Sequence, residues 1–129
     1  MPLVYAVNEK LNFVYVKGDT PIGRDDLITY EASFIADQRV RPGFKAFFDA
    51  TQARGIDLDP HVVDVLLNME ILYPDKLKGA KRALLLSEDM GWDYAKLFAE
   101  EADGNNIVLF SRDVAMVWLG ITEEDLPTL

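Results

Sequence analysis

Three residues able to act on a ligand recur at one kind of place: Asp49, Ser87 and Ser111 each close a short apolar run. The runs are Phe44-Lys45-Ala46-Phe47-Phe48, Ala83-Leu84-Leu85-Leu86 and Ile107-Val108-Leu109-Phe110, and helical patterning resumes after each. Strands of a parallel sheet read this way, because helices covering the sheet leave little alternation of polar and apolar positions. Ligands of such sheets sit beyond the carboxyl ends of the strands. The candidate ligand or partner site is therefore Asp49, Ser87 and Ser111, together with Thr51 just after the first run.

The chemistry open to these groups is narrowed by their neighbours. An aspartate ending a third strand and a hydroxyl ending a fourth suit a phospho-acceptor with its switch residue, as in receiver domains. That reaction also needs acids after the first strand to hold magnesium and a lysine after the last to grip phosphoryl oxygens. Here the first strand ends in Val7-Asn8 and the last in Phe110-Ser111-Arg112. A hydrolytic serine needs a base beside it. Ser87 is followed by Glu88-Asp89 without the glycine pair of a nucleophile elbow, and the sole histidine, His61, opens another helix. Asp49, Asp57, Asp59, Glu88 and Asp89 make the carboxyl edge acidic, which suits hard cations. The same acids serve as caps and dipole partners at helix starts, and no metal site is assigned to them. Nor is there a glycine-rich loop to cradle a phosphate. No catalytic residue, metal or cofactor is expected.

The opposite edge is basic. Arg39 and Arg41 precede the third strand with Lys45 just inside it, and Lys76, Lys78, Lys81 and Arg82 surround the start of the fourth. Arg39, Arg41, Lys78, Lys81 and Arg82 form a candidate dock for an anionic partner or an acidic lipid headgroup. The molecule is expected to be bipolar.

The elements that must position these groups follow from periodicity and punctuation. Leu3-Val4-Tyr5-Ala6-Val7 and Phe13-Val14-Tyr15-Val16 are rich in β-branched and aromatic residues and flank a polar link, which predicts an antiparallel hairpin. A first helix is predicted over residues 24–37, with Asp25 and Asp26 in its first turn, where they favour the dipole. Asp59 as N-cap and Pro60 as first residue open a second helix over 60–72. Its apolar members reach almost all the way round, leaving His61, Asp64 and Asn68 as the polar stripe. Val62, Val65, Leu66 and Met69 form the candidate interface, because a third apolar side needs a cover. A third helix is predicted over 91–102, and a last one over 114–119, capped by Ser111 and closed by Gly120. The fold class is thus α/β, with a mixed five-stranded sheet: an N-terminal antiparallel hairpin, then parallel β-α units, and four helices mainly on one face. Residues 1–120 form one domain, and 121–129 an acidic C-terminal tail expected to be loose.

The totals agree with that reading. At 129 residues the chain is one domain of ordinary size, half of it apolar. It contains no cysteine, which removes disulfides and thiol chemistry and fits a cytoplasmic location. Twenty-two acids against 13 bases give net −9, so nucleic acid is not an expected partner. No run approaches the roughly 18 apolar residues of a membrane span.

The chain resembles the SpoIIAA-like family of small bacterial proteins, which share a fold with STAS and CRAL-TRIO domains. The resemblance rests on Phe47-Phe48-Asp49 closing the third strand, on the run from Ala80 to Leu86, and on Phe110, Ala115 and Trp118-Leu119-Gly120 near the end. It implies a sheet with helices gathered mainly on one face and Trp118 and Leu119 as core anchors. STAS relatives that antagonise anti-sigma factors carry a phosphorylatable serine in an Asp-Ser-Ser-Gly turn. This chain has Asp49-Ala50-Thr51-Gln52 there, so the phosphoswitch is not carried over. The resulting expectation is a non-enzymatic regulatory or binding module of STAS-like type, acting through protein–protein contacts as a homodimer. The alternative is a carrier or sensor of a small apolar or lipid ligand held between helices and sheet.

Overall fold

The computed structural model of the chain describes residues 3–19, 21–53, 55–56, 60–77, 79–87 and 106–129, without the side chains of 60, 62, 63, 66, 67 and 70. The strands are β1 (Leu3–Asn8), β2 (Phe13–Gly18), β3 (Lys45–Asp49), β4 (Lys81–Leu85) and β5 (Asn106–Leu109). They lie side by side in chain order, β1 antiparallel to β2 and the rest parallel. The expected mixed sheet is what forms. Right-handed crossovers, the rule for parallel neighbours, put every connecting helix on the same face when strands are laid down in sequence order.

The helices are α1 (Arg24–Ala36), α2 (Pro60–Ile71), α3 (Pro74–Leu77) and α4 (Arg112–Leu119). Among the described residues three run eight residues or more, and the one-turn α3 stands where only the end of the second helix was expected. Pro74 starts it for the same reason that Pro60 starts α2: a first-turn N–H has no helical partner to lose. The helix predicted over 91–102 lies outside the described residues. Gly23, not a hydroxyl residue, precedes α1; its N–H donates to Asp26 Oδ2 at 2.9 Å, which fixes the entry of that helix.

Side chains alternate across the strands into two separate cores. Val14, Val16, Ala46 and Leu84 point to the face covered by α1, where Leu27 and Phe34 meet them. Phe13, Tyr15, Phe47, Ala83 and Leu85 point to the other face, where Ala115, Met116 and Leu119 of α4 close over them. Coverage on both faces explains the near-continuous apolar runs. Helix α2 packs against α1, and Leu77 of α3 joins the first core, so among the described helices only α4 crosses to the second face.

The last turn is docked, not loose. Ile121 is buried, Leu126 packs on the second core, and Asn8 Nδ2 donates to the Asp125 carbonyl at 3.0 Å. Helix α4 is stopped by Gly120 in the left-handed region at φ 69°, with its N–H bonded back into the helix. A side chain there is strained by about 1–2 kcal/mol. Gly120→Ala is therefore expected to lower stability by about 1 kcal/mol, roughly 3–5 °C in Tm, as differential scanning calorimetry would register.

Candidate functional site

Parallel register brings the three strand ends to one rim: Asp49 is opposite Leu85, and Leu85 opposite Leu109. Asp49 is not the solvated rim residue expected of a ligand site. It is the last ladder residue of β3 and is buried at 6% exposure, because it points to the face that α4 covers. Burial of a carboxylate requires partners. Oδ1 accepts from the Thr51 N–H at 3.0 Å and from the Thr51 hydroxyl at 2.6 Å. Oδ2 accepts from Arg112 Nη1 at 3.1 Å.

Arg112 is the residue that sequence reasoning missed. It opens α4, right after Ser111, and its guanidinium lies over the Phe47 ring at 5.5 Å. Its other edge donates from Nε and Nη2 to both oxygens of Glu123, at 3.1 and 3.2 Å. Glu123 beside it, with Tyr15 a further hydrogen-bonding neighbour, holds the guanidinium above its ordinary range against the opposing effect of burial. Arg112 in turn holds the Glu123 carboxyl below its usual range. Phe47 itself stacks on Tyr15 at 5.8 Å. Thr51, Asp49, Arg112 and Glu123 thus form one chain of contacts, with Tyr15 and Phe47 beneath. It ties a strand end, a helix start and the C-terminal turn together. Each of the Asp49 and Arg112 donor and acceptor groups named here points at another side chain of the same protein, so the arrangement fixes structure before it offers any group to a ligand.

This arrangement of strands and covering helices also settles what the chain is similar to. An uncharacterized protein from the DUF3478 family with a SpoIIAA-like fold, from Shewanella loihica PV-4, superposes with a TM-score of 0.57. The match covers 91% of this chain and 93% of that one at 13% sequence identity. The fold is SpoIIAA-like. No family model matches the sequence, and no curated protein matches it. Among the described residues no helix is long and apolar enough to cross a membrane.

Within this SpoIIAA-like frame the remaining site residues are spread out. Ser87 is half-buried two residues past the end of β4. Ser111 is the N-cap of α4, its Oγ accepting from the Val114 N–H at 3.4 Å. The carboxyl-edge acids Asp57, Asp59, Glu88 and Asp89 lie outside the described residues, as does Lys78.

The described members of the basic dock make separate contacts. Arg39 pairs with Asp37 at 2.7 Å, beyond the end of α1, and the carboxyl of Asp37 sits well below its usual range because of the Arg39 side chain. Tyr5 also donates to Asp37, at 3.0 Å, and burial pushes its hydroxyl up. Arg41 reaches the Glu9 carbonyl at 2.9 Å. Lys76 donates to the Asp37 carbonyl at 2.5 Å and is held below the ordinary lysine range by burial. Lys45 and Lys81 are register partners on the face beneath α4. Lys45 Nζ donates to the Leu119 carbonyl at 2.7 Å, and Lys81 lies over the Trp118 ring at 5.2 Å. Two adjacent cations are tolerated there because the carbonyl end of a helix carries partial negative charge. Arg82 points to the first face, where it donates to Asn106 Oδ1 at 2.9 Å and approaches the buried Glu31 at 4.0 Å.

The candidate interface on α2 is partly visible. Val65 and Met69 are half-buried, at the rim of an exposed stripe of His61, Asp64, Asn68 and Ile71; the side chains of Val62 and Leu66 are outside the described set. Leu72 continues the helical register, its N–H bonding to the Asn68 carbonyl at 3.3 Å. Val65, Met69 and Leu72 therefore fall at i, i+4 and i+7 on one side. There the helix ends in a lip of three consecutive large apolar residues, with Ile71 at 71%, Leu72 at 73% and Tyr73 at 50% exposure.

Proposed function

We propose that this chain is a non-enzymatic binding module of STAS-like type that works through protein–protein contact, with a second copy of itself across the α2 surface. The observation that carries the reading is the lip Ile71-Leu72-Tyr73. Isolated apolar side chains on a surface need no explanation, but three together beside the half-buried Val65 and Met69 make a patch that association would cover. The occupant is argued from charge. A chain of net −9 repels its own copies, so self-association requires a face with few charges. Helix α2 supplies one: Asp64 and Glu70 are the only acidic residues in its twelve, and none is basic. A two-fold axis at the helix end would place each lip on the other. The engagement of Asp49 and Arg112 with one another supports a binding role over a catalytic one.

Sedimentation velocity from low to high micromolar concentration tests this. The expected result is a concentration-dependent dimer that Leu72→Glu converts to monomer at unchanged Tm, since Leu72 is already exposed in the monomer. A wild-type monomer throughout the range overturns the dimer. The competing account, an apolar or lipid ligand held between helices and sheet, would instead appear as a co-purifying mass in organic extracts of the monomer.

A further inference from the structure

Strand β1 forms one edge of the sheet. Among the described strands it pairs with β2 alone, in unbroken register from Leu3 opposite Gly18 to Asn8 opposite Phe13, so no bulge interrupts it. Alternate residues of such a strand turn their N–H and C=O groups away from the partner. Among the described residues no backbone hydrogen bond meets the outer side of β1. Exposed edges are ordinarily blunted by a charge, a proline, a bulge or a covering element. The run Leu3-Val4-Tyr5-Ala6-Val7-Asn8 carries neither charge nor proline.

The strand is nonetheless well anchored. On the first face the Tyr5 hydroxyl donates to Asp37, and the Tyr5 ring meets Tyr30 of α1 edge-on at 5.8 Å. On the second face Asn8 holds the Asp125 carbonyl at 3.0 Å. An edge ordered in advance loses little freedom when a partner engages it.

From this ordered, uncharged and unpaired edge we infer that β1 accepts an extended segment of another protein as an added strand. The main chain argues the occupant: extended backbone alone repeats donors and acceptors at the spacing that β1 presents. Tyr5 and Val7 flank the edge on the first face, and Val4, 44% exposed, and Ala6 on the second. Side chains set beside them across the new pair are uncharged, small or β-branched. A second copy is the poorer occupant. It carries its own α1 over its own β1, so edge-to-edge pairing would lay two such helices side by side. Each holds Asp25, Asp26 and Glu31 against Arg24 alone, and like charges so placed oppose the contact. A lone segment brings no such helix.

The test adds a synthetic peptide of alternating valine and threonine, with a lysine at each end, to the full-length, isotope-labelled protein and follows amide hydrogen exchange. Exchange at alternate residues of 3–8 is expected to slow on the order of tenfold at saturation. The same peptide N-methylated at every internal residue keeps its side chains but has no donors, and is expected not to bind. Val4→Lys, at an exposed position, places on the edge the charge that natural edges use and is expected to weaken binding about tenfold. Leu72→Glu is expected to leave binding unchanged. The inference is overturned if the peptide does not bind, if its methylated form binds equally well, or if protection falls outside 3–8. It is overturned too if Val4→Lys binds as wild type or Leu72→Glu abolishes binding. Protection of 3–8 that grows with protein concentration in the absence of peptide would also overturn it, by making a second copy the occupant. The α2 dimer is read by sedimentation and the β1 edge by exchange, so either can fail while the other stands.

Discussion

Phe47→Ala is expected to lower the unfolding free energy by about 3–5 kcal/mol, measured by urea denaturation. The ring is fully buried in the middle of the second core, stacked on Tyr15 and adjoining Ala83, Leu85 and α4. Removing it opens a cavity between a central strand and the helix, and neither can collapse far. Strand β3 is hydrogen-bonded on both sides, and α4 is held at one end by Arg112 and at the other by Lys45 on the Leu119 carbonyl. The ring also lies under the Arg112 guanidinium, so the loss extends from packing to the orientation of the ion pair. Phe47→Leu keeps most of the volume and is expected to recover more than half of the loss. A change below about 1 kcal/mol in the alanine variant would mean that the second face is not a packed core.

How far such a residue could be read in advance depends on the range of its contacts. Phe47 was legible because a strand covered on both faces has nowhere to put a polar side chain, so its whole run is apolar. The helix starts at Pro60 and Ser111 and the stop at Gly120 were legible because capping is decided within a few residues. The strand ends were placed within one residue or so, and their shared rim followed from parallel topology.

What the sequence did not disclose is non-local. Arg112 is 63 residues from Asp49, and nothing within a turn of either names the other. Lys45 is 74 residues from the carbonyl it satisfies and Arg41 is 32 from its own, so internal contacts engage basic residues of that edge for which the local sequence names no partner. Glu31 shows the converse, since a charge within the patterned span of α1 turns inward toward Arg82. The C-terminal turn escaped notice because Ile121 and Leu126 are too sparse to make a period, although both reach the second core. Asp49 itself was found at the right place with the wrong surroundings: its position is local, but the helix that buries it comes from the end of the chain.

That difference makes Asp49 the sharper test of the site. A solvated rim aspartate can be exchanged for asparagine or alanine with little effect on folding, whereas this carboxylate serves three donors. Asp49→Ala leaves the Thr51 N–H and hydroxyl and one edge of Arg112 without their acceptor. Breaking a buried pair from one side costs about 3–5 kcal/mol. Arg112 keeps Glu123 and is about one-third exposed, so water and the second carboxylate moderate the loss. The expected cost is about 3 kcal/mol, toward the lower end of that range. Asp49→Asn retains an oxygen for Thr51 and is expected to lose about half as much. Arg112→Met strands the carboxylate with Thr51 alone and should cost about 2–3 kcal/mol. Combining Asp49→Asn with Arg112→Met should cost less than the two separately, by a coupling of about 1–2 kcal/mol, because the pair is lost only once. Denaturant midpoints at unchanged slope supply all four values. Strict additivity would show that the two side chains do not sense each other. Asp49→Ala within about 0.5 kcal/mol of wild type would return Asp49 to the rim as a residue free to meet a ligand.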